Sequence, residues 1–194
     1  MVTKPKATES TDEASEATEP SEAAPARRRR GEPLLAEVAW EVVNQLGGIY
    51  TVLRSKIPAM TEQWGRRYFL IGPYEPDTAS VEFDAAPPTG AIGKVVQAMR
   101  DDGYDVHYGR WLVTGRPRVV LMNPVSVFPR LHEIKYGLWE HHNIGLPGDD
   151  DMLNRVAAFG QMVAEFFRRL AERESSKRQI VAHFHEWMGA AALP

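Results

Sequence analysis

The chain has 194 residues, of which 43% are hydrophobic and 25% charged, a composition typical of a globular domain with a substantial core. Its formal net charge of −3 gives no reason to expect a nucleic acid or an anionic membrane as partner. The absence of cysteine excludes disulfides, thiolate metal sites and a cysteine nucleophile, and it fits a reducing compartment. Since no apolar run could span a bilayer or act as a signal-peptide core, the sequence predicts a cytoplasmic protein.

Residues 1–33 differ in composition from the rest of the chain. They are rich in Glu, Ala, Ser, Thr and Pro, and they contain no aromatic residue, Leu or Ile. Such a segment cannot bury enough apolar surface to offset the entropy lost on ordering. We therefore predict a disordered tail, ending in a solvated basic run at residues 27–30, followed by a folded domain over residues 34–194.

The first part of the folded domain contains a strand, two glycines and a helix. Residues 34–43 are mostly apolar, with β-branched residues and a tryptophan, which predicts a strand. Gly47 and Gly48 follow, and they allow a sharp turn and close approach of a ligand to the main chain. The helix behind them then presents free N–H groups and its positive dipole end, an arrangement that holds phosphates in α/β proteins. A tight connection without any ligand is the alternative. The helix itself is indicated by apolar residues at helical spacing, namely Ile49, Val52, Leu53, Ile57 and Met60.

The middle of the chain alternates apolar runs with turn residues. We predict, in chain order, a buried strand over residues 67–72, a loop over 75–90, a short amphipathic helix ending near residue 102, and two hairpin strands over 105–114 and 118–122. We interpret His107 as a strand residue rather than as a ligand.

Residues 123–151 are interrupted by prolines and glycines, although their apolar residues indicate a short helix around residues 128–140. His141 and His142 are adjacent, so their rings point apart and we do not expect them to share a metal ion. We interpret the three aspartates at 149–151 as caps of the next helix. That helix is predicted by apolar residues spaced alternately by four and three, namely Met152, Val156, Phe159, Val163, Phe166 and Leu170.

A last buried strand is predicted over residues 179–184. Alternating strands and helices predict an α/β fold with a mostly parallel sheet, whose ligands bind beyond the carboxyl ends of the strands. Gly47-Gly48 and His185 should both lie at that edge and face one cleft. A metal bound by His183 and His185 is an alternative, but no third ligand is evident. We interpret His183 as a core residue bonded to backbone, whereas His185 or Glu186 could hydrogen-bond a sugar hydroxyl.

Five sequence blocks add a resemblance to these patterns. They are Glu37-Val-Ala-Trp-Glu-Val42, Gly47-Gly-Ile-Tyr-Thr-Val-Leu53, Tyr68-Phe-Leu-Ile-Gly-Pro-Tyr74, Tyr108-Gly-Arg-Trp-Leu112 and Val181-Ala-His-Phe-His-Glu-Trp187. From residue 34 to its end, the chain resembles glycogen synthases of the animal and fungal type, which carry these blocks in this order.

The resemblance implies a retaining glycosyltransferase with two Rossmann-like domains, the GT-B fold, of which this chain would be an N-terminal domain incomplete at its C-terminal end. The implied reaction moves glucose from UDP-glucose to the 4-hydroxyl at the end of an α-1,4-glucan, without a metal or another cofactor. The implied partners are UDP-glucose and glycogen, and the full-length protein could be a homo-oligomer. Since the family's C-terminal domain carries most nucleotide contacts and the groups that act on the diphosphate, we assign no catalytic residue here and expect this chain to be inactive alone.

The patterns and the resemblance together predict site residues. We predict donor contacts at Gln45, Gly47, Gly48 and His185, and a sugar contact at Glu186; of these, the contact at Gln45 is implied by the resemblance. The family usually has Lys or Arg where this chain has Gln45, and a neutral amide can bond to an oxygen without neutralising its charge. A non-catalytic module that binds glucan or a partner protein is therefore the main alternative, an unrelated α/β nucleotide-binding protein is a weaker one, and the donor base is left open between uracil and adenine.

Overall fold

A computed structural model describes residues 31–194. The tail predicted for residues 1–33 therefore lies mostly outside the described residues. Its last three residues belong to the first strand, β1 (Gly31–Val38), and the Gly31 N–H donates to the Lys177 carbonyl at 2.8 Å. The described fold thus includes residues 31–33, which the sequence places in the tail.

Six strands and six α-helices form the described part of the chain. In order they are β1 (Gly31–Val38), α1 (Gly48–Trp64), β2 (Tyr68–Pro73), α2 (Pro76–Glu82), β3 (Phe83–Ala85), α3 (Gly90–Asp101), β4 (Val106–Trp111), β5 (Arg118–Met122), α4 (Leu131–His142), α5 (Asp151–Glu174), β6 (Arg178–Phe184) and α6 (Glu186–Ala190). Short 3-10 turns precede β2 at Gly65–Arg67 and α4 at Pro124–Arg130. None of the helices within residues 31–194 combines the length and the apolar character that crossing a membrane would need.

The strands form a single mixed sheet in the order β3-β4-β5-β2-β1-β6. The pairs β5-β2, β2-β1 and β1-β6 are parallel, whereas β3-β4 and β4-β5 are antiparallel. This confirms the predicted α/β fold with a mostly parallel sheet, and it confirms the hairpin of β4 and β5. The last strand differs from the prediction because β6 lies at an edge and is only partly buried.

Side chains that alternate along the central strands build a core on each face of the sheet. One core joins Leu35 and Leu70 of the strands to Leu53 and Ile57 of α1. The other core joins residues of the opposite parity to α3, α4 and α5, and its members include Ala36, Val38, Phe69, Ile71, Phe159 and Phe166. Since a strand alternates its side chains between faces and these strands are apolar on both, helices must cover the two faces.

The predicted helices are confirmed at α1, α3, α4 and α5, with one difference in α1. Its buried face consists of Tyr50, Leu53 and Ile57, whereas Val52 is half exposed. The aspartate cap of α5 is also confirmed, because the Asp150 side chain accepts the Leu153 N–H at 2.9 Å. His141 and His142 have rings 6.4 Å apart and nearly perpendicular, as expected for neighbours on a helix.

Two sequence predictions are wrong about the loops. The first strand ends at Val38 rather than at Val43, because the buried apolar residues that follow belong to a loop packed into the core. Residues 75–90 hold α2 and β3, which are too short to show a clear periodicity. His107 does lie in strand β4, where its ring stacks on Tyr74 at 3.7 Å and its Nε2 lies 2.9 Å from Asp105.

Candidate functional site

The carboxyl ends of β1 and β6 meet at one edge of the sheet. Val38 and Phe184, the last residues of the two strands, are paired, and the His185 N–H donates to the Val38 carbonyl at 2.9 Å. Helix α1, which follows β1, packs on one face of the sheet, whereas α5, which precedes β6, packs on the other. The helices connected to these two neighbouring strands therefore lie on opposite faces. Open α/β sheets bind ligands in the crevice at such a switch point. The start of α1, at Gly47-Gly48, and His185 lie at this same edge.

A buried carboxylate stands beside this edge. Glu37 is 1% exposed, and its Oε2 lies 2.6 Å from Lys56 Nζ and 2.9 Å from His185 Nε2. The Tyr68 hydroxyl donates to Glu37 Oε1 at 3.1 Å. We refer to Glu37, Lys56, Tyr68 and His185 as the Glu37 cluster. Its members come from β1, α1, β2 and the end of β6, so it ties three neighbouring strands to α1.

The cluster keeps Glu37 ionised. Burial opposes the charged form, but hydrogen bonds from His185 and Lys56 outweigh it and hold the pKa of Glu37 below its ordinary value of 4.5. Burial, followed by the negative charge of Glu37, raises the pKa of Tyr68 far above its ordinary value. Tyr68 is therefore a donor to Glu37 at every pH at which the protein is handled.

The same carboxylate orients the imidazole of His185. An ionised carboxylate only accepts hydrogen bonds, so His185 Nε2 carries a proton and donates it to Glu37. In the neutral ring, Nδ1 is then an acceptor. The His185 side chain is 9% exposed, which leaves little freedom for the ring to turn. The geometry thus provides one oriented acceptor nitrogen at the carboxyl edge of β6.

His183 does not behave as predicted. It is exposed rather than buried, and its ring lies against that of His185 with centroids 4.2 Å apart. Partial desolvation, together with the neighbouring His185, lowers the pKa of His183, so the neutral imidazole is favoured. The prediction of a core histidine bonded to backbone is wrong, because β6 is an edge strand and exposes this position.

The structure also supplies the third metal ligand that the sequence does not show. Ligand atoms of Glu37, His183 and His185 all lie within 4.8 Å of one another. However, the Lys56 ammonium already lies 2.6 Å from the Glu37 carboxylate, so this carboxylate has a cationic partner. A metal ion would have to displace Lys56 against charge repulsion.

A second buried glutamate caps α1. Glu41 is 5% exposed, and its Oε2 accepts the Gly47 N–H at 2.8 Å and the Tyr50 N–H at 3.0 Å. The first turn of a helix offers four N–H groups without helical partners, and Glu41 satisfies two of them. A side chain of the protein thus occupies part of the place in which the sequence predicts a phosphate.

The two glycines therefore have different surroundings. A Cβ on Gly47 would lie 3.1 Å from Glu41 Oε1, so Gly47 allows the carboxylate to reach the helix. A Cβ on Gly48 would meet no atom within 4 Å, so Gly48 faces open space. Both glycines are exposed, but the Gly47 N–H already donates to Glu41, so Gly48 is the glycine of this pair that has open space beside it.

Two of the four non-glycine residues with positive φ among residues 31–194 lie next to this edge. Val43, which is β-branched and buried, has φ of 59°, and Glu186, which begins α6, has φ of 57°. Left-handed backbone is costly for such residues and persists where the surrounding structure enforces it, often at ligand sites. Val43 follows β1 and the exposed Glu186 follows β6, so both strained positions flank the switch point.

A cavity of about 440 Å³ opens between the loop after β1, the loop after β2 and the start of α5. Asn44 and Leu46 contribute to its wall, whereas Gln45 between them is exposed and has no side-chain partner among residues 31–194. Gly47, Gly48 and His185 do not line it. The predicted site residues thus share an edge of the sheet, but the structure does not bring them into one enclosed pocket.

The charge of this cavity is negative. Its only cationic side chain is Arg155, which lies 3.3 Å from Glu75 and 3.2 Å from Asp151, while Asp77 adds a further carboxylate. Carboxylates accept hydrogen bonds from hydroxyl groups and repel phosphates. The cavity therefore suits a sugar better than a diphosphate.

Glu37, Glu41, Lys56 and Tyr68 are absent from the residues that the sequence singles out. One signal for two of them is present, because Glu37 and Glu41 interrupt an otherwise apolar segment. A glutamate that is buried with its neighbours needs a partner for its charge. The partners of Glu37 come from β2, α1 and the end of β6, and the sequence does not show that these three elements meet beside Glu37.

Comparison with known proteins places these features in a family. Residues 37–194 match a family model described as "Glycogen synthase". The chain is 42% identical over 162 residues to the "Glycogen [starch] synthase" of Neurospora crassa, which covers 83% of this chain and 23% of that protein. It is 39% identical over 163 residues to the liver "Glycogen [starch] synthase" of Homo sapiens, covering 84% of this chain and 23% of that protein. A relative from Caenorhabditis elegans with the same name is 39% identical over 159 residues, which is 81% of this chain and 24% of that protein. The chain thus spans just under a quarter of the length of the curated relatives it matches.

Proposed function

The chain belongs to the glycogen synthase family, whose members are glycosyltransferases, and from this premise we propose that it forms the N-terminal wall of a donor cleft. The reaction is transfer of glucose from UDP-glucose to the 4-hydroxyl at the end of an α-1,4-glucan, with retention of configuration. UDP-glucose and glycogen are then the binding partners, and the cytoplasm is the place of action.

The oriented imidazole of His185 is the observation on which this proposal chiefly rests. Its Nε2 is held by Glu37 at 2.9 Å, so in the neutral ring Nδ1 is the nitrogen that would accept a hydrogen bond from a donor hydroxyl. An acceptor that is fixed before the sugar binds loses little entropy on binding, which favours its use in positioning. Glu186 is exposed, has φ of 57° and follows His185 directly, and we assign it a contact to the same sugar.

The charges at this edge also support the binding of the sugar and of the diphosphate by different parts of the protein. Transfer of glucose leaves a diphosphate, whose charge must be met by cations and oriented N–H groups. The cavity after β1 is acidic, and Glu41 occupies two N–H groups of α1. The diphosphate is therefore held chiefly by groups outside residues 31–194, and this stretch alone does not transfer glucose.

We assign no metal to the reaction. Lys56 already neutralises Glu37, and the Glu37 cluster is complete in hydrogen bonds without an ion. The chemistry assigned to these residues is the binding and orientation of neutral hydroxyl groups, which needs no Lewis acid.

A non-catalytic glucan-binding module is the second candidate, and one observation favours it. Gln45 brings no charge to the position where the family usually has Lys or Arg, while the acidic cavity beside it suits sugar hydroxyls. In that case the chain would retain glucan binding while lacking effective donor binding.

A chimera tests the proposal. We would replace the matching segment of the Neurospora crassa relative by residues 34–194 of this chain and measure transfer of labelled glucose from UDP-glucose to glycogen. We expect transfer by the chimera and none by the 194-residue chain alone.

Two results would count against it. A folded chimera that binds glycogen but transfers no glucose would favour the binding module. A folded chimera with neither property would remove both candidates, and the unaltered Neurospora crassa relative provides the positive control in each assay.

A second prediction concerns Gln45. In the chimera, Gln45→Lys should tighten UDP-glucose binding by about five- to tenfold, because a charge-assisted hydrogen bond to the donor replaces a neutral one. The measurement is the KM for UDP-glucose with glycogen in excess. Because Gln45 is exposed, the substitution should leave stability unchanged.

Gln45→Met provides the matched control, since it keeps the approximate length of the side chain without either charge or amide. We expect this variant to bind the donor more weakly than the parent chimera. An equal or higher KM in Gln45→Lys would show that this position does not contact the donor.

A further inference from the structure

Three arginines converge on a cavity at the amino ends of the strands. Arg118 and Arg178 begin β5 and β6, and Arg66 lies in the turn before β2. Together with Leu34, the first turn of α3 and Glu174 they line a space of about 260 Å³. We call this space the arginine pocket. It lies at the opposite edge of the sheet from the Glu37 cluster.

The positive charge of the arginine pocket is only partly balanced. Glu174 is 7% exposed and lies 2.9 Å from Arg178 and 2.9 Å from Lys177. Arg66 and Arg118 have no carboxylate partner within residues 31–194, and Arg118 donates to the Arg66 carbonyl. The pocket thus contains two guanidinium groups without a counter-charge among the described side chains.

Arg118 also has unused hydrogen-bonding capacity. Its Nε is buried and has no partner among the described residues. Burial lowers the pKa of Arg118, contact with Tyr108 opposes this, and the positive charges of Arg110 and Arg66 lower it further. A guanidinium stays protonated regardless, so this environment destabilises a charge that an anion would stabilise.

The start of α3 adds N–H groups to the same space. Gly90, Ala91 and Ile92 line the pocket, and they form the first turn of a 12-residue helix. The N-cap residue Thr89 makes no capping hydrogen bond through its side chain, and the first turn has no acidic residue. The positive end of the helix dipole therefore lies beside the arginines without a carboxylate of its own.

We propose that the arginine pocket binds a phosphate group carried by a small molecule. Guanidinium groups bind phosphate through pairs of parallel hydrogen bonds, and a helix N-terminus favours the same ligand. The volume lies below the range of about 300 to 1,000 Å³ typical of sites for larger ligands, so the fit is to a compact phosphate. This inference is independent of the proposed transferase activity, since it uses none of the residues at the carboxyl edge.

The test is a titration of the 194-residue chain with inorganic phosphate, followed by NMR of the arginine Nε–H groups at constant ionic strength. We expect saturable shifts of Arg118 and Arg178, with sulfate competing and chloride having no effect. Arg66→Gln should weaken phosphate binding by about tenfold, because one charge-assisted contact is lost. Arg66 is exposed, so its replacement should not disturb the fold.

Arg54→Gln is the matched control, because it removes the same charge from an exposed position on α1. We expect its phosphate affinity to equal that of the parent chain. Arg118→Lys, checked for folding by circular dichroism, should also weaken binding because it keeps the charge and loses the planar fork. Absence of the Arg118 shift, or equal weakening by Arg54→Gln and Arg66→Gln, would overturn the proposal.

Discussion

Lys56→Met is expected to destabilise the fold by about 3 kcal/mol at neutral pH, because it leaves the Glu37 carboxylate buried without a cation. Glu37 is 1% exposed, whereas the Lys56 side chain is 29% exposed, so the uncompensated charge would be the buried one. Equilibrium denaturation by urea, monitored by circular dichroism, would measure the loss.

The loss should depend on pH. In the parent chain the pKa of Glu37 is held below 4.5, so its contribution is present above that pH and disappears as the pH falls through the folded value. In the variant, burial dominates and raises the pKa of Glu37. The difference between the two proteins should therefore be large at pH 7, shrink as the pH falls through the raised pKa of the variant, and vanish only below the lowered pKa of the parent, where both carboxyls are neutral.

Two further variants make this prediction specific. Lys94→Met removes an exposed lysine of α3 and should cost less than about 0.5 kcal/mol. Adding Glu37→Gln to Lys56→Met removes the buried charge and should restore part of the lost stability. Equal stability of Lys56→Met and Lys94→Met at pH 7 would show that Glu37 does not depend on Lys56.

Gly160→Ala is the second substitution with a large expected effect. In an open helix position this change stabilises by up to about 1 kcal/mol. At Gly160 of α5, however, a Cβ would lie 2.4 Å from the Ala191 carbonyl oxygen, just beyond α6. The backbone of one element must move, so we expect a net loss of about 1 to 3 kcal/mol, measured by urea denaturation.

Gly137→Ala on α4 is the paired control, because a Cβ there would meet no atom within 4 Å. It should stabilise the protein slightly, so the same substitution should change the free energy of unfolding in opposite directions on the two helices. Stabilisation by both substitutions would mean that α6 does not pack against α5 at Gly160. Since α6 begins at Glu186, the Gly160→Ala variant should also raise the KM for UDP-glucose in the chimera.

The two largest effects thus concern the supports of one proposed site. The Glu37–Lys56 pair holds the ring of His185 from one face of the sheet, and Gly160 lets α6 dock from the other. Loss of either support should displace the residues that follow β6 without removing any of them. A KM effect with unchanged glycogen affinity would separate this displacement from general unfolding.

The long regular elements could be predicted because their signal is local. Six apolar residues at spacings of four and three predict α5, and five of them are buried in the structure while Met152 is partly exposed. The same holds for β2 and for the β4-β5 hairpin, whose turn residues lie between apolar runs. The sequence predicts strand for the loop after β1, because burial in a loop and burial in a strand favour the same apolar residues.

The sequence predicts at which edge of the sheet the candidate site lies, but not which side chains are in contact there. A rule of topology places Gly48 and His185 at the carboxyl ends of parallel strands, and the structure agrees. The sequence does not predict that Glu41 accepts hydrogen bonds from the N–H groups of Gly47 and Tyr50. These contacts depend on the path of the loop after β1, which contains the strained Val43.

The sequence by itself determined the α/β class, the main helices and strands and the family, since each depends on local periodicity or on blocks of adjacent residues. Only the tertiary structure decided that Glu37 joins Lys56, Tyr68 and His185, and that Arg66, Arg118 and Arg178 share a cavity. The physical reason is that charges buried far apart in sequence acquire their partners from strand order and helix packing, which no local pattern contains.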